Sequence, residues 1–87
     1  MFPIGRLVAT PGALAFCKEH RINPIHFIAR HGARDWSQMD RENQAANLAA
    51  ITDGTRILSA YVYDGTRVWV VTEADRSVTT LLLAEEY

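Results

Sequence analysis

The chain has 87 residues, 48% of them hydrophobic and 22% charged, and nine basic against ten acidic side chains leave a formal charge of -1. That length gives one small domain spanning residues 1–87 and leaves no room for a second domain or a deep two-lobed cleft. The near-neutral balance argues against a nonspecific nucleic-acid binder, which needs a basic excess to displace counterions.

Eight of the nine basic residues are arginine, which suits geometrically defined ion pairs and fits a protein contact better than a polyanion. Cys17 is the single cysteine, so no intramolecular disulfide forms and a reducing, cytoplasmic compartment is expected. The apolar opening "MFPIGRLVATPGALAF" does not read as a signal peptide, because Arg6 follows its first apolar residues and Pro11-Gly12 splits the run. No segment approaches the roughly 20 apolar residues that cross a bilayer.

In chain order, "GRLVAT" reads as a short strand. Thr10 then supplies an N-cap and Pro11 the first helical position of a first helix. A second helix repeats the device with Asn23 and Pro24, with Ile22 and Phe27 as a hydrophobic staple, Ile25 and Ile28 as a buried stripe, and Gly32 as the left-handed terminating residue. A third is capped by the Ser37–Asp40 pair or by Asp40 itself and runs to about Thr52 before Gly54. Ala45, Leu48, Ala49 and Thr52 form its expected inner stripe, and Trp36 fills the junction before it.

From Arg56 onward the period changes to two. "RILSAYVY" and "TRVWVVT" are joined by Asp64-Gly65, a strong type I′ hairpin signal that sets Tyr63 opposite Thr66, Tyr61 opposite Val68, and Ala60 opposite Trp69. A second hairpin turns through Ala74-Asp75 or the wider Glu73 to Arg76, and either choice puts Val71 opposite Val78 and Trp69 opposite Thr80. The expected fold is therefore α+β, with about three N-terminal helices on one face of an antiparallel three- to four-stranded meander.

Alternation separates two sheet faces. One holds Leu58, Val71, Val78, Ala60, Trp69, Thr80, Val62, Arg67 and Leu82, and is assigned to the helices. The other carries hydroxyl-bearing residues and the apolar band Tyr61, Tyr63, Val68, Val70, Leu81 and Leu83, which is expected to face outward as an interface. Tyrosine suits that role, and pairing of the band about a two-fold axis gives a homodimer; cover by the N-terminal strand or by "AEEY" is the rival. Glu73, Asp75 and Arg76 form either a plain polar turn or a compact recognition tip.

Chemistry-bearing motifs are sparse. Cys17, His20, His26 and His31 match no zinc spacing, so neither a metal nor a cofactor is expected. His20 and His31 fit instead as cations near helix C-termini. A toxin-like RNase would recruit His31, Glu73, Arg67 and Arg76, and a small DNA-binding regulator would present His26, Arg30 and Arg34 from the second helix. The first lacks a histidine or lysine on the sheet face, and the second places apolar residues where base-reading side chains belong.

The stretches "GRLVATPGAL" (5–14), "ILSAY" (57–61) and "VWVVTEADRSVTTLLLAEEY" (68–87) resemble a family of small proteobacterial proteins carried on plasmids and integrative elements and known as plasmid-related proteins. The resemblance spans nearly the whole chain and implies a mobile-element accessory. The expected function is non-enzymatic binding of a protein partner, with inhibition of host defence of the anti-CRISPR or anti-restriction type as one setting.

Overall fold

The computed structural model describes residues 2–87. Its elements in order are β1 (Arg6–Ala9), α1 (Pro11–Glu19), α2 (Ile25–Gly32), α3 (Arg41–Asp53), β2 (Ile57–Tyr63), β3 (Thr66–Thr72), β4 (Val78–Leu83) and a short 3-10 turn, Ala84–Glu86. The class is α+β, three helices with a four-stranded sheet, and the sheet is mixed. Its order is β1-β4-β3-β2, with β1 parallel to β4 and the other pairs antiparallel. The N-terminal strand thus extends the meander at its edge.

Local chemistry explains most boundaries. Thr10 accepts a hydrogen bond from the Ala13 N–H and opens α1, with Pro11 in the first turn. Asp40 accepts from the Asn43 N–H and caps α3 as expected, whereas α2 has Pro24 at its cap position, with the Asn23 side chain accepting from the Ile25 N–H just ahead of the helix. Gly54, at φ 73°, ends α3 in the left-handed region. Gly32 does not play that part for α2: it is buried inside the last turn, and Arg34, at φ 62°, takes the left-handed position instead.

Asp64 and Gly65 adopt φ 49° and 77°, the type I′ geometry, and the β2–β3 register is the expected one throughout. The β3–β4 register is displaced by two residues: Val71 pairs with Thr80 and Trp69 with Leu82. The cause lies in the loop, where Asp75 accepts from both the backbone N–H and the hydroxyl of Ser77. That Asx turn keeps Ser77 out of the ladder, and Ser77 instead offers its carbonyl to the Arg6 N–H. A shift of two leaves every side chain on its original face.

The helices cover the opposite face from the one expected. Ala13, Phe16 and Cys17 of α1 and Phe27 and Ile28 of α2 pack on Tyr61, Val68, Val70, Leu81 and Leu83, and a second cluster joins Phe2, Trp36 and Ala50 to Ile57. Within α2 the buried pair is Phe27 and Ile28, while Ile25 stays 49% exposed. The expected stripe of α3 is exposed as well, Leu48 at 56%, and the helix buries Asn47 and Ala50 instead. It docks against a strand edge, so its contact is polar: the Asn47 carboxamide accepts from the Leu58 N–H and donates to the Leu58 carbonyl. Gln38 makes the same double contact with Val62 further along β2. Two side-chain amides thereby occupy the open edge of that strand.

Candidate functional site

Five of the six residues expected at an outward interface, Tyr61, Val68, Val70, Leu81 and Leu83, are core, and Tyr61 is 1% exposed. Tyr63, at the end of the row, packs edge-on against Phe16, His20 and Phe27. A homodimer through this band is therefore corrected: its area is already covered by α1 and α2. Burial raises the Tyr61 phenol above its ordinary pKa, against the opposing pull of the nearby Ser59 hydroxyl and Arg30.

The hydroxyls on that face serve a buried polar row. His31 is 0% exposed, with Nδ1 against the Ser59 hydroxyl and Nε2 2.8 Å from the Thr72 hydroxyl. The Trp36 indole donates to Ser59 Oγ at 2.8 Å, Thr72 and Thr79 are 2.7 Å apart, and Thr79 donates to the Ile4 carbonyl at 2.6 Å. The two ends fix the protons. A carbonyl only accepts, so Thr79 spends its proton on Ile4, Thr72 donates to Thr79, and His31 must donate to Thr72 from Nε2. Its Nδ1 is left to accept from Ser59. The imidazole is neutral, in agreement with burial lowering its pKa from 6.5 to about 4. His31 is thus not a cation serving a helix terminus, as its position had implied.

Ser59 and His31 have the contact of a nucleophile and its base, yet neither has surface to offer a substrate. The RNase recruits do not converge either: His31 is sealed under the helices, while Arg67 projects from the other face. Arg76 is not a free tip residue. Its Nη2 donates to the Ala50 carbonyl at 2.8 Å and its Nη1 to the Thr55 carbonyl at 2.7 Å, tying the β3–β4 loop to the end of α3. Of the three tip residues, Glu73 and Asp75 are exposed, and hydrogen bonds from Ser77 depress the Asp75 pKa. On α2, Arg30 pairs with Asp35 through a 2.7 Å contact and lies over the Tyr61 ring, leaving His26 and Arg34 exposed. Among the described residues no three His, Cys, Asp or Glu side chains gather as a metal-ligand set. No helix among them is long and apolar enough to cross a membrane.

The remaining candidate is the sheet face turned away from α1 and α2. Its rows are Val8–Thr80–Val71–Leu58, Leu82–Trp69–Ala60 and Arg67–Val62. Neither core cluster includes a residue of these rows. The C-terminal turn brings Tyr87 onto Trp69, ring centroids 5.3 Å apart, with the Arg56 guanidinium 5.5 Å over the tyrosine. Val71 and Leu82 on this face are buried, but Val8 and Val62 remain exposed, Val62 at 51%. Beside Trp69 a groove of about 460 Å³ opens toward the start of α3. Its apolar lining is Met39, Leu58, Ala60 and Trp69; Asp40, Asn43 and Arg56 bring polar groups.

One feature of the sequence marks this face. The four strands hold only two charged residues, Arg6 and Arg67, and both lie on these rows or their continuation. A guanidinium is hard to bury unpaired, so the face that carries them is the one left toward water. Compared with protein-family models, curated proteins and solved structures, the chain matches none.

Proposed function

We propose that the protein is a non-enzymatic binding module that engages another protein through the outer face of its sheet. The carrying observation is the half-covered face that carries Val8, Trp69 and Val62 on three successive rows, with Tyr87 folded onto the indole, a groove beside it and arginine as the only strand-borne charge. Apolar surface of this kind, with aromatic and arginine anchors, has the composition of an interface centre. A groove beside an indole provides the pocket that a partner's anchor side chain fills. The family resemblance of residues 5–14, 57–61 and 68–87 supports the setting: a mobile-element accessory that binds a host or element-encoded protein, with inhibition of CRISPR or restriction systems among its forms.

The test is affinity capture from the native host with wild type, Val62→Asp and Tyr61→Asp. Val62 is exposed, so its aspartate variant keeps the fold by circular dichroism and loses the captured protein. Tyr61→Asp places a carboxylate in the core and unfolds the domain. Identical capture by wild type and a folded Val62→Asp variant removes the outer face from consideration. Capture of no protein by wild type removes the binding reading altogether.

A further inference from the structure

We infer that the partner segment read by this face is an acidic peptide with an apolar anchor: a Trp, Phe or Leu side chain that enters the groove beside Trp69, flanked by carboxylates that pair with Arg56 and Arg67. The inference rests on the outer-face reading above and adds the partner's chemistry.

The arginines divide by what they do. Arg30 is paired with Asp35, and Arg76 is spent on backbone carbonyls. Arg6, Arg21, Arg34, Arg41, Arg56 and Arg67 are all exposed with no carboxylate within 4.0 Å among the described residues; Arg6 and Arg67 are the ones borne on the outer sheet face, and Arg56 the one that lines its groove. Arg56 lines the groove and Arg67 projects from the strand next to it. The nearby acids are committed or lie beyond. Asp40, at the groove, is engaged by the backbone and side chain of Asn43. Glu85 shares a separate depression with Arg67 without pairing to it, and Glu86 is held by Thr10, Gly12 and Leu83. Unpaired guanidiniums beside an apolar pocket favour carboxylates on whatever fills it.

The pocket's size and floor favour a side chain. About 460 Å³ falls inside the range of small ligand sites, and Met39 and Leu58 form an aliphatic wall beside the indole. Strand addition at the adjacent edge of β2 is obstructed, since Gln38 and Asn47 already fill the backbone positions of Val62 and Leu58. A single nucleic-acid strand is disfavoured. Trp69 and Tyr87 meet at 62°, so they do not form successive stacking platforms, and the chain carries net negative charge.

The experiment selects a phage-displayed random peptide library on the wild-type protein. Enriched clones are then measured by fluorescence polarisation against wild type, the Arg56→Glu/Arg67→Glu pair, and Ala46→Trp. Ala46 is exposed on α3 and lines the groove, so the tryptophan plugs it without entering the core. The expected clones combine Asp or Glu with one large apolar residue, and each variant weakens them by about tenfold or more. Clones blocked by the plug but indifferent to charge reversal, or rich in Lys and Arg, overturn the acidic assignment while the outer face stands. Clones unaffected by the plug overturn the outer face as well. Absence of enrichment, or equally plug-sensitive binding of a labelled oligothymidylate, overturns the peptide.

Discussion

Acidification tests the buried polar row directly. His31 accepts from Ser59 at Nδ1 and donates to Thr72 from Nε2, so a second proton on Nδ1 turns an acceptor into a donor facing a hydroxyl that must then find another acceptor. That hydroxyl already receives the Trp36 indole N–H. The folded protein therefore resists protonation, and burial holds the imidazole at about 4, against 6.5 for a free side chain. The unfolded chain takes up this proton first as pH falls through 6.5, so stability is lost between there and about 4. The slope approaches about 1.4 kcal/mol per pH unit, which amounts to about 2 kcal/mol at about pH 5. For a small domain that is a large fraction of the total.

Urea unfolding near neutrality and at about pH 5 reads this loss as a lower midpoint at unchanged slope against denaturant. The depressed carboxylates contribute in a lower window. Asp35 is held down by Arg30 and Ser37, Asp75 by Ser77 and Glu86 by Thr10, so their stabilisation is present above their ordinary values of 3.8 to 4.5 and goes only below them. A proton-carbon NMR titration assigns the upper window to its residue. If the His31 ring titrates near 6.5 in the folded protein, or if the midpoint does not move by about pH 5, the row is not arranged as described.

Arg76→Ala removes the tie between the β3–β4 loop and the end of α3 and lowers stability by about 1–3 kcal/mol in a denaturant titration, with hydrogen exchange speeding up in both elements. Asn47→Ala uncovers the Leu58 backbone on the open edge of β2; it costs about 1–3 kcal/mol and increases light scattering on storage. Gly5→Ala is expected to destabilise by more than about 1 kcal/mol, because Gly5 sits at φ 60° and a Cβ there would run into the backbone of Arg76 and Ser77; a melting temperature unchanged from wild type contradicts that close approach.

Much of the architecture could be read from residues whose meaning is local. Thr10-Pro11, Asn23-Pro24, Asp40 and Gly54 mark helix ends by satisfying or terminating backbone groups within a turn, and Asp64-Gly65 sets a register because few other pairs tolerate two positive φ angles. What escaped is non-local. The parallel seat of β1 beside β4 depends on a contact across some 70 residues, and Arg76 reads as a loop charge until its carbonyl partners on α3 are known. The apolar spacing in α3 misleads because the helix meets an edge, where an asparagine serves better than a leucine. The choice of sheet face did have a signal: Arg67 stood in the row assigned to the core, while the other face held no charge at all.

The polar row explains why the choice goes one way. Both faces carry enough Val, Leu and aromatic residues to pack against Phe16 and Phe27, so hydrophobic area alone does not decide between them. Placing the row Val8–Thr80–Val71–Leu58 beneath α2 would offer a single hydroxyl to His31 and Trp36, and would bury Arg67 without a partner. Each buried group left unpaired costs about 1–3 kcal/mol, and a charged one more. The helices therefore settle where Ser59, Thr72 and Thr79 complete the row. Trp69, Val62 and Val8 are left on the water side by that selection, with Tyr87 against the indole and Arg56 over the tyrosine ring. Val71 and Leu82 on this face are buried and Trp69 is half-covered, so the apolar side chains that the fold leaves to water there are Val8 and Val62. In the binding reading proposed above, an occupant from outside the chain would cover Val8 and Val62, and the exposed arginines on this face would favour an acidic one.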